Sequence, residues 1–126
     1  MHRLTSVAAV CLLASAGMPA AQTVEYPSVA AALSALKAKP GVSLDSQGGW
    51  VFAKDGNVIW SFTPQDHFAH PSVGRRELKA QDGRFFVETR ILCEAQKAAC
   101  DQLRDDYVLL DKRMNEAIQR DQQKQK

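Results

Sequence analysis

Residues 50–62 read WVFAKDGNVIWSF and residues 75–93 read RRELKAQDGRFFVETRILC. Each stretch holds an Asp-Gly pair, Asp55-Gly56 or Asp82-Gly83, between runs rich in β-branched and aromatic residues. Asp-Gly favours a type I′ turn, in which both central residues need positive φ. Two antiparallel hairpins are therefore expected. With Asp82-Gly83 as the turn, Ala80 faces Phe85 and Leu78 faces Val87. The opposite face then holds Arg75, Glu77, Lys79, Phe86, Glu88 and Arg90. An apolar face backed by a charged one is what a half-buried sheet requires. In the first hairpin Val51 and Ala53 share a face with Val58, Trp60 and Phe62, while Trp50, Phe52 and Ile59 share the other. Both of its faces are apolar.

Outward from the hairpins the hydrophobic period lengthens. Val29, Ala32, Leu33 and Leu36 recur at helical spacing over Ser28–Lys39, with Ser28 as cap and Pro40-Gly41 as stop. Val42–Leu44 adds a short edge strand. Ala99, Leu103, Tyr107, Leu110, Met114 and Ala117 mark a long helix from about Ala95 to Gln119. Its acids come early and its bases late, as the helix dipole favours. Thr63–Gly74 reads as a loop, and Gln122–Lys126 as a frayed polar tail. The expected fold is α+β: an N-terminal helix, an antiparallel sheet of four or five strands, and a long C-terminal helix. Both helices are expected on the face carrying Leu78, Val87, Ile91 and Trp60.

The N-terminus bears on location. His2 and Arg3 precede the uncharged, apolar run Leu4–Ala16, and Gly17 and Pro19 break it before Ala20-Ala21. Residues 1–21 read as a secretory signal peptide. Cleavage after Ala20 or Ala21 suits the length, whereas Ala14-Ser15-Ala16 better matches the small-x-small preference of signal peptidase. Cys11 is not a lipid-attachment site, since Val10 precedes it and Leu12-Leu13 continue the apolar run. The remaining 105 of 126 residues suit one domain, over 22–121, followed by the short tail. The leader takes one of sixteen basic residues and none of fourteen acidic ones, so the rest carries net charge +1. That balance gives no pull toward nucleic acid. With no second apolar span, a soluble periplasmic or secreted protein is expected.

Loss of the leader leaves Cys93 and Cys100 in an oxidising compartment, where an even pair reads as a disulfide. Seven residues apart on one helix, the two would be about 10.5 Å apart, too far to bond. Cys93 must therefore end the last strand before the helix begins. The spacing does not match a C-x-x-C redox pair.

Three further groups invite a functional reading. Asp66, His67 and His70 suggest zinc or copper, although three ligands leave a structural site open and a polar loop fits the same residues. Trp50, Phe52 and Ile59 form an aromatic patch facing away from the helices, open to a partner unless the 63–74 loop or Val24–Pro27 covers it. Arg75, Arg76, Arg90, Glu77 and Glu88 line either an anion site or a set of cross-strand ion pairs. No Ser or Cys stands in a nucleophile context, so no catalytic residue and no cofactor are assigned.

Trp60-Ser61-Phe62-Thr63-Pro64 leading to His70-Pro71-Ser72, Leu92-Cys93-Glu94-Ala95 leading to Ala99-Cys100-Asp101, and the helix after Tyr26-Pro27-Ser28 resemble small exported proteins of Gram-negative bacteria. These lack an assigned activity, and some are labelled DnaJ-type (J-domain) molecular chaperones. The label implies a chaperone-like role. A J-domain, however, needs His-Pro-Asp between two helices, and this chain has His70-Pro71-Ser72 between expected strands. The reading is thus a small exported, non-catalytic binding protein, whose partner is another envelope or secreted protein. The alternative is metal handling through His67 and His70.

Overall fold

The computed structural model describes residues 24–125. The leader expected at 1–21 and the final Lys126 lie outside the described residues. Helix α1 (Val29–Ala38) is followed by strands β1 (Ser43–Gln47), β2 (Trp50–Asp55), β3 (Val58–Phe62), β4 (Ser72–Gln81) and β5 (Arg84–Cys93), then helix α2 (Lys97–Lys124). The strands form one antiparallel sheet in the order β1-β2-β3-β4-β5. The α+β architecture follows from the sequence pattern. No helix among the described residues is long and apolar enough to cross a membrane.

Local chemistry accounts for most boundaries. Ser28 Oγ accepts the Ala31 N–H at 3.0 Å and caps α1. Asp82 and Gly83 both have positive φ, and Ala80 pairs with Phe85 and Leu78 with Val87, the expected register. The first hairpin turns one residue later than expected, at Gly56-Asn57, because Asp55 pairs with Val58. The slip moves every pairing by two residues, so each side chain keeps its face. Ala53 thus pairs with Trp60 and Val51 with Phe62. A third hairpin joins β1 to β2 through Gly48 and Gly49, which both supply the positive φ that a tight turn needs. It carries the edge strand on to Gln47, beyond the expected Leu44.

The helices lie on opposite faces of the sheet, not on one. Trp60 pairs with Arg75, so it shares a face with Arg75 and Glu77 rather than with Leu78 and Val87. Helix α1 covers that face, where Val29, Ala32 and Leu36 meet Ala53, Val58, Trp60, Phe62 and Val73. Burying a side chain such as Leu36 contributes about 1.5–3 kcal/mol. Tyr26 tilts against Trp60 with ring centroids 5.4 Å apart, and the Arg75 guanidinium lies over the same indole. The smaller core on the other face joins Ala69, Ile91, Leu103 and Tyr107 beneath the start of α2.

Beyond Tyr107, α2 departs from the apolar stripe read in its sequence. Leu110 is 40% exposed. The helix runs along the outer edge of β5 and satisfies its backbone with polar side chains. Asn115 Oδ1 accepts the Val87 N–H at 2.7 Å, and its Nδ2 donates to the Val87 carbonyl at 3.3 Å. Gln119 Nε2 donates to the Phe85 carbonyl; Gln122 accepts from Phe85 N–H and donates to the Gly83 carbonyl. Thr89 Oγ1 donates to Asp111. An open strand edge invites pairing with other chains, and this ladder occupies it. The ladder also explains why residues 122–124, expected to fray, remain helical.

Candidate functional site

Because α2 hugs the β5 edge, it leaves the far half of its own sheet face uncovered. Between helix and sheet runs an open groove of about 300 Å³. Trp50 and Phe52 of β2 and Ser61 of β3 line its floor; Leu103, Asp106, Tyr107 and Leu110 of α2 form one wall. Arg76 of β4 and His67 of the 63–71 loop complete the lining. Trp50 and Phe52 lie two residues apart on one strand, so both point into the groove. Their rings stack with centroids 6.3 Å apart and planes 13° apart. Both remain half-exposed.

Gly74 brings the wall close. It pairs with Ser61 on β3, and the Tyr107 phenol lies directly over it. A Cβ there would sit 2.6 Å from Tyr107 Oη and 2.7 Å from Cζ. Burial pushes the Tyr107 phenol up from its ordinary pKa, against the opposing effects of the Arg76 charge and a hydrogen bond with Ser61. Tyr107 therefore enters the groove as a neutral phenol at ordinary pH.

Arg76 is the cation of the lining. Its guanidinium rests over the Tyr107 ring, 5.6 Å from the centroid. Its ion pair with Asp111 is long, 3.6 Å from Nε to Oδ1, and that carboxylate oxygen already accepts the Thr89 hydroxyl at 2.8 Å. Among the described residues Arg76 Nε has no hydrogen-bond partner. On the α2 rim, Asp106 Oδ1 accepts from Gln102 at 2.8 Å and the residue is otherwise exposed.

The structure splits the residues singled out in the sequence. Trp50, Phe52 and Ile59 do share one face, as the alternation indicates. That face lies opposite α1 but on the same side as α2, which corrects the expectation that it faces away from both helices. Val24 and Tyr26 pack on the other side and cover none of it. The loop covers part of it: the His67 ring meets Trp50 edge-on at 5.2 Å and stacks on Phe68.

His67 and His70 do different local jobs. His67 Nδ1 accepts the Ala69 N–H at 3.0 Å, whereas His70 Nδ1 lies 3.0 Å from Thr63 Oγ1. Among the described residues no three His, Cys, Asp or Glu side chains come together in a metal-holding group, and Asp66 stays exposed.

Of the five charged residues grouped as an anion site, Arg76 leaves the others for the groove. Arg75 pairs with Glu77 at 3.0 Å and Glu25 at 3.1 Å, and Glu88 with Lys79 at 3.0 Å and Arg90 at 3.4 Å. Those are ion pairs within and beside the strands, on the sheet face that also carries Trp60. Cys93 and Cys100 are disulfide-bonded, with Cα atoms 5.7 Å apart. The bond ties β5 to the first turn of α2, where Gln96 makes no side-chain cap bond.

Sequence reading missed Gly74, Ser61, Arg76, Asp106, Tyr107 and Leu110 as groove residues. One signal was present: in the Leu78–Val87 register, position 76 falls on the apolar face, where a lone arginine is out of place. Nothing local marks the Gly74–Tyr107 contact, which joins residues 33 positions apart in the chain. No family model, no curated protein and no solved structure matches the chain.

Proposed function

We propose that the protein is a small exported, non-catalytic binding protein that holds another envelope or secreted polypeptide in the groove floored by Trp50 and Phe52. The observation that carries this reading is the stacked, half-exposed aromatic pair, left open by a helix that spends its second half on the β5 edge. Large aromatic side chains in a partly dry recess are the usual anchors of protein association. The exposed apolar positions Ile59, Leu78 and Leu110 on the same side extend the surface. Export rests on the basic start and apolar run before residue 22.

The test has two parts. The N-terminus of protein recovered from the periplasm is expected between Gly17 and Gln22; intact protein beginning at Met1 refutes export. For binding, a partner co-purified from the periplasm and identified by mass spectrometry is titrated against the parent and Trp50→Ala. The variant is expected to keep its fold and bind about 2 kcal/mol weaker or more. An unchanged affinity shows that Trp50 is no anchor, and a variant that unfolds makes it a structural residue; either removes the proposal.

A further inference from the structure

The groove pairs its aromatic floor with a cation whose ion pair, to Asp111, is long. Arg76 is largely buried, with 16% of its side chain exposed. Taking a guanidinium out of water is costly unless its N–H groups find acceptors. Here the Nε–Asp111 pair is stretched to 3.6 Å, the Asp111 oxygen also accepts from Thr89, and Nε itself is out of reach of solvent, so a ligand in the groove meets the remainder of the guanidinium. The Tyr107 ring beneath it holds the planar fork in place. A preoriented guanidinium is matched to a carboxylate, which it can bind through two parallel hydrogen bonds.

Resting on the binding reading above, we propose that the groove takes the free carboxyl terminus of a polypeptide ending in a large apolar residue. The terminal carboxylate meets Arg76, and the last side chain lies on Trp50 and Phe52. Phe52 pairs with Ser61, and Ser61 with Gly74, so the floor and the β4 backbone are two strands, roughly 10 Å, apart. Asp106 on the α2 rim offers an acceptor to the N–H of the terminal residue. Ile59 and Leu78, 39% and 42% exposed, lie on the same sheet face beside Arg76 and extend the apolar surface that preceding residues could meet. A terminal carboxylate and the side chain of the same residue present the two groups together, whereas an internal acid needs a neighbouring residue to supply the apolar group.

The experiment is fluorescence polarisation with the purified, oxidised protein and three labelled hexapeptides. One ends in phenylalanine with a free carboxylate, one is its carboxamide, and one ends in serine with a free carboxylate. The phenylalanine acid is expected to bind about tenfold tighter or more than each of the others. Arg76→Gln is expected to remove the preference for acid over amide, with its melting temperature followed in parallel. The acid–amide comparison uses the parent protein, so it stands even if the variant is unstable. Equal binding of acid and amide overturns the carboxylate assignment; if Trp50→Ala then weakens both, the groove reading survives alone. Binding of decanoate, titrated separately by calorimetry, with none of the peptides assigns the groove to a free amphiphile and overturns the proposal. No binding by any probe overturns it too, while the partner titration judges the groove reading separately.

Discussion

Replacing Gly74 with alanine tests the packing that shapes the groove. Gly74 is absent from the positive-φ residues, so its backbone accepts alanine, and by itself the change gains about 0.4–1 kcal/mol by narrowing the unfolded ensemble. Against this, the new Cβ would lie 2.7 Å from Tyr107 Cζ, whereas carbon atoms rest near 3.5 Å. The phenol end must withdraw by roughly 0.8 Å. Tyr107 is only 8% exposed and packs with Leu103, Ile91 and Ala69, so the ring has little room to move. Overpacking of this kind costs about 1–3 kcal/mol. The expected net destabilisation lies between about 0 and 2.6 kcal/mol and centres on about 1.3, read by urea unfolding of the oxidised protein through its tryptophan fluorescence. Tyr107→Leu removes the ring end, and in that background the sign should invert, with Gly74→Ala neutral or stabilising. A Gly74→Ala that stabilises the parent, or the same effect in both backgrounds, refutes the contact.

Other consequences follow from neighbouring parts of the structure. Breaking the Cys93–Cys100 bond by either Cys→Ala change should cost roughly 2.5 kcal/mol, the loop-closure value for a loop of this length, because α2 has no side-chain cap to hold its start; two titratable thiols in protein from an oxidising compartment, or a double variant as stable as the parent, would contradict it. Asn115→Ala removes both hydrogen bonds that cover Val87 on the β5 edge. It should lose about 1–2 kcal/mol and raise the tendency to self-associate, seen by light scattering; an unchanged melting curve and no association would make the ladder incidental. Burial raises the Tyr107 pKa above its unfolded value of about 10. Its stabilising contribution is therefore full below about pH 10 and is lost as pH rises toward the folded value. Tyr107→Phe should flatten the alkaline fall in stability relative to the parent, and parallel curves would show that this phenol is not the group responsible.

Local chemistry in the sequence was enough for the elements, the second hairpin's register and the disulfide. Ser28 announces a cap, Asp82-Gly83 a turn, and the cysteine spacing a strand end followed by a helix. Each signal acts over a few residues, so it can be read without knowing the fold. Even the misplaced first turn left Trp50, Phe52 and Ile59 together, because face membership depends only on the period of two. Which face met which helix was another matter. It depends on the β3–β4 pairing across the 63–71 loop, where no short turn dictates register and Trp60 falls opposite Arg75 rather than beside Leu78. The course of α2 was hidden for a similar reason. Leu110, Met114 and Ala117 spell an apolar stripe, but Asn115, Gln119 and Gln122 meet unpaired backbone at the β5 edge, and satisfying that edge draws the helix off the sheet face. An exposed strand edge exists only once the sheet has formed. The tertiary structure alone therefore decides that the aromatic pair floors a groove, with Arg76 and Tyr107 brought into its lining.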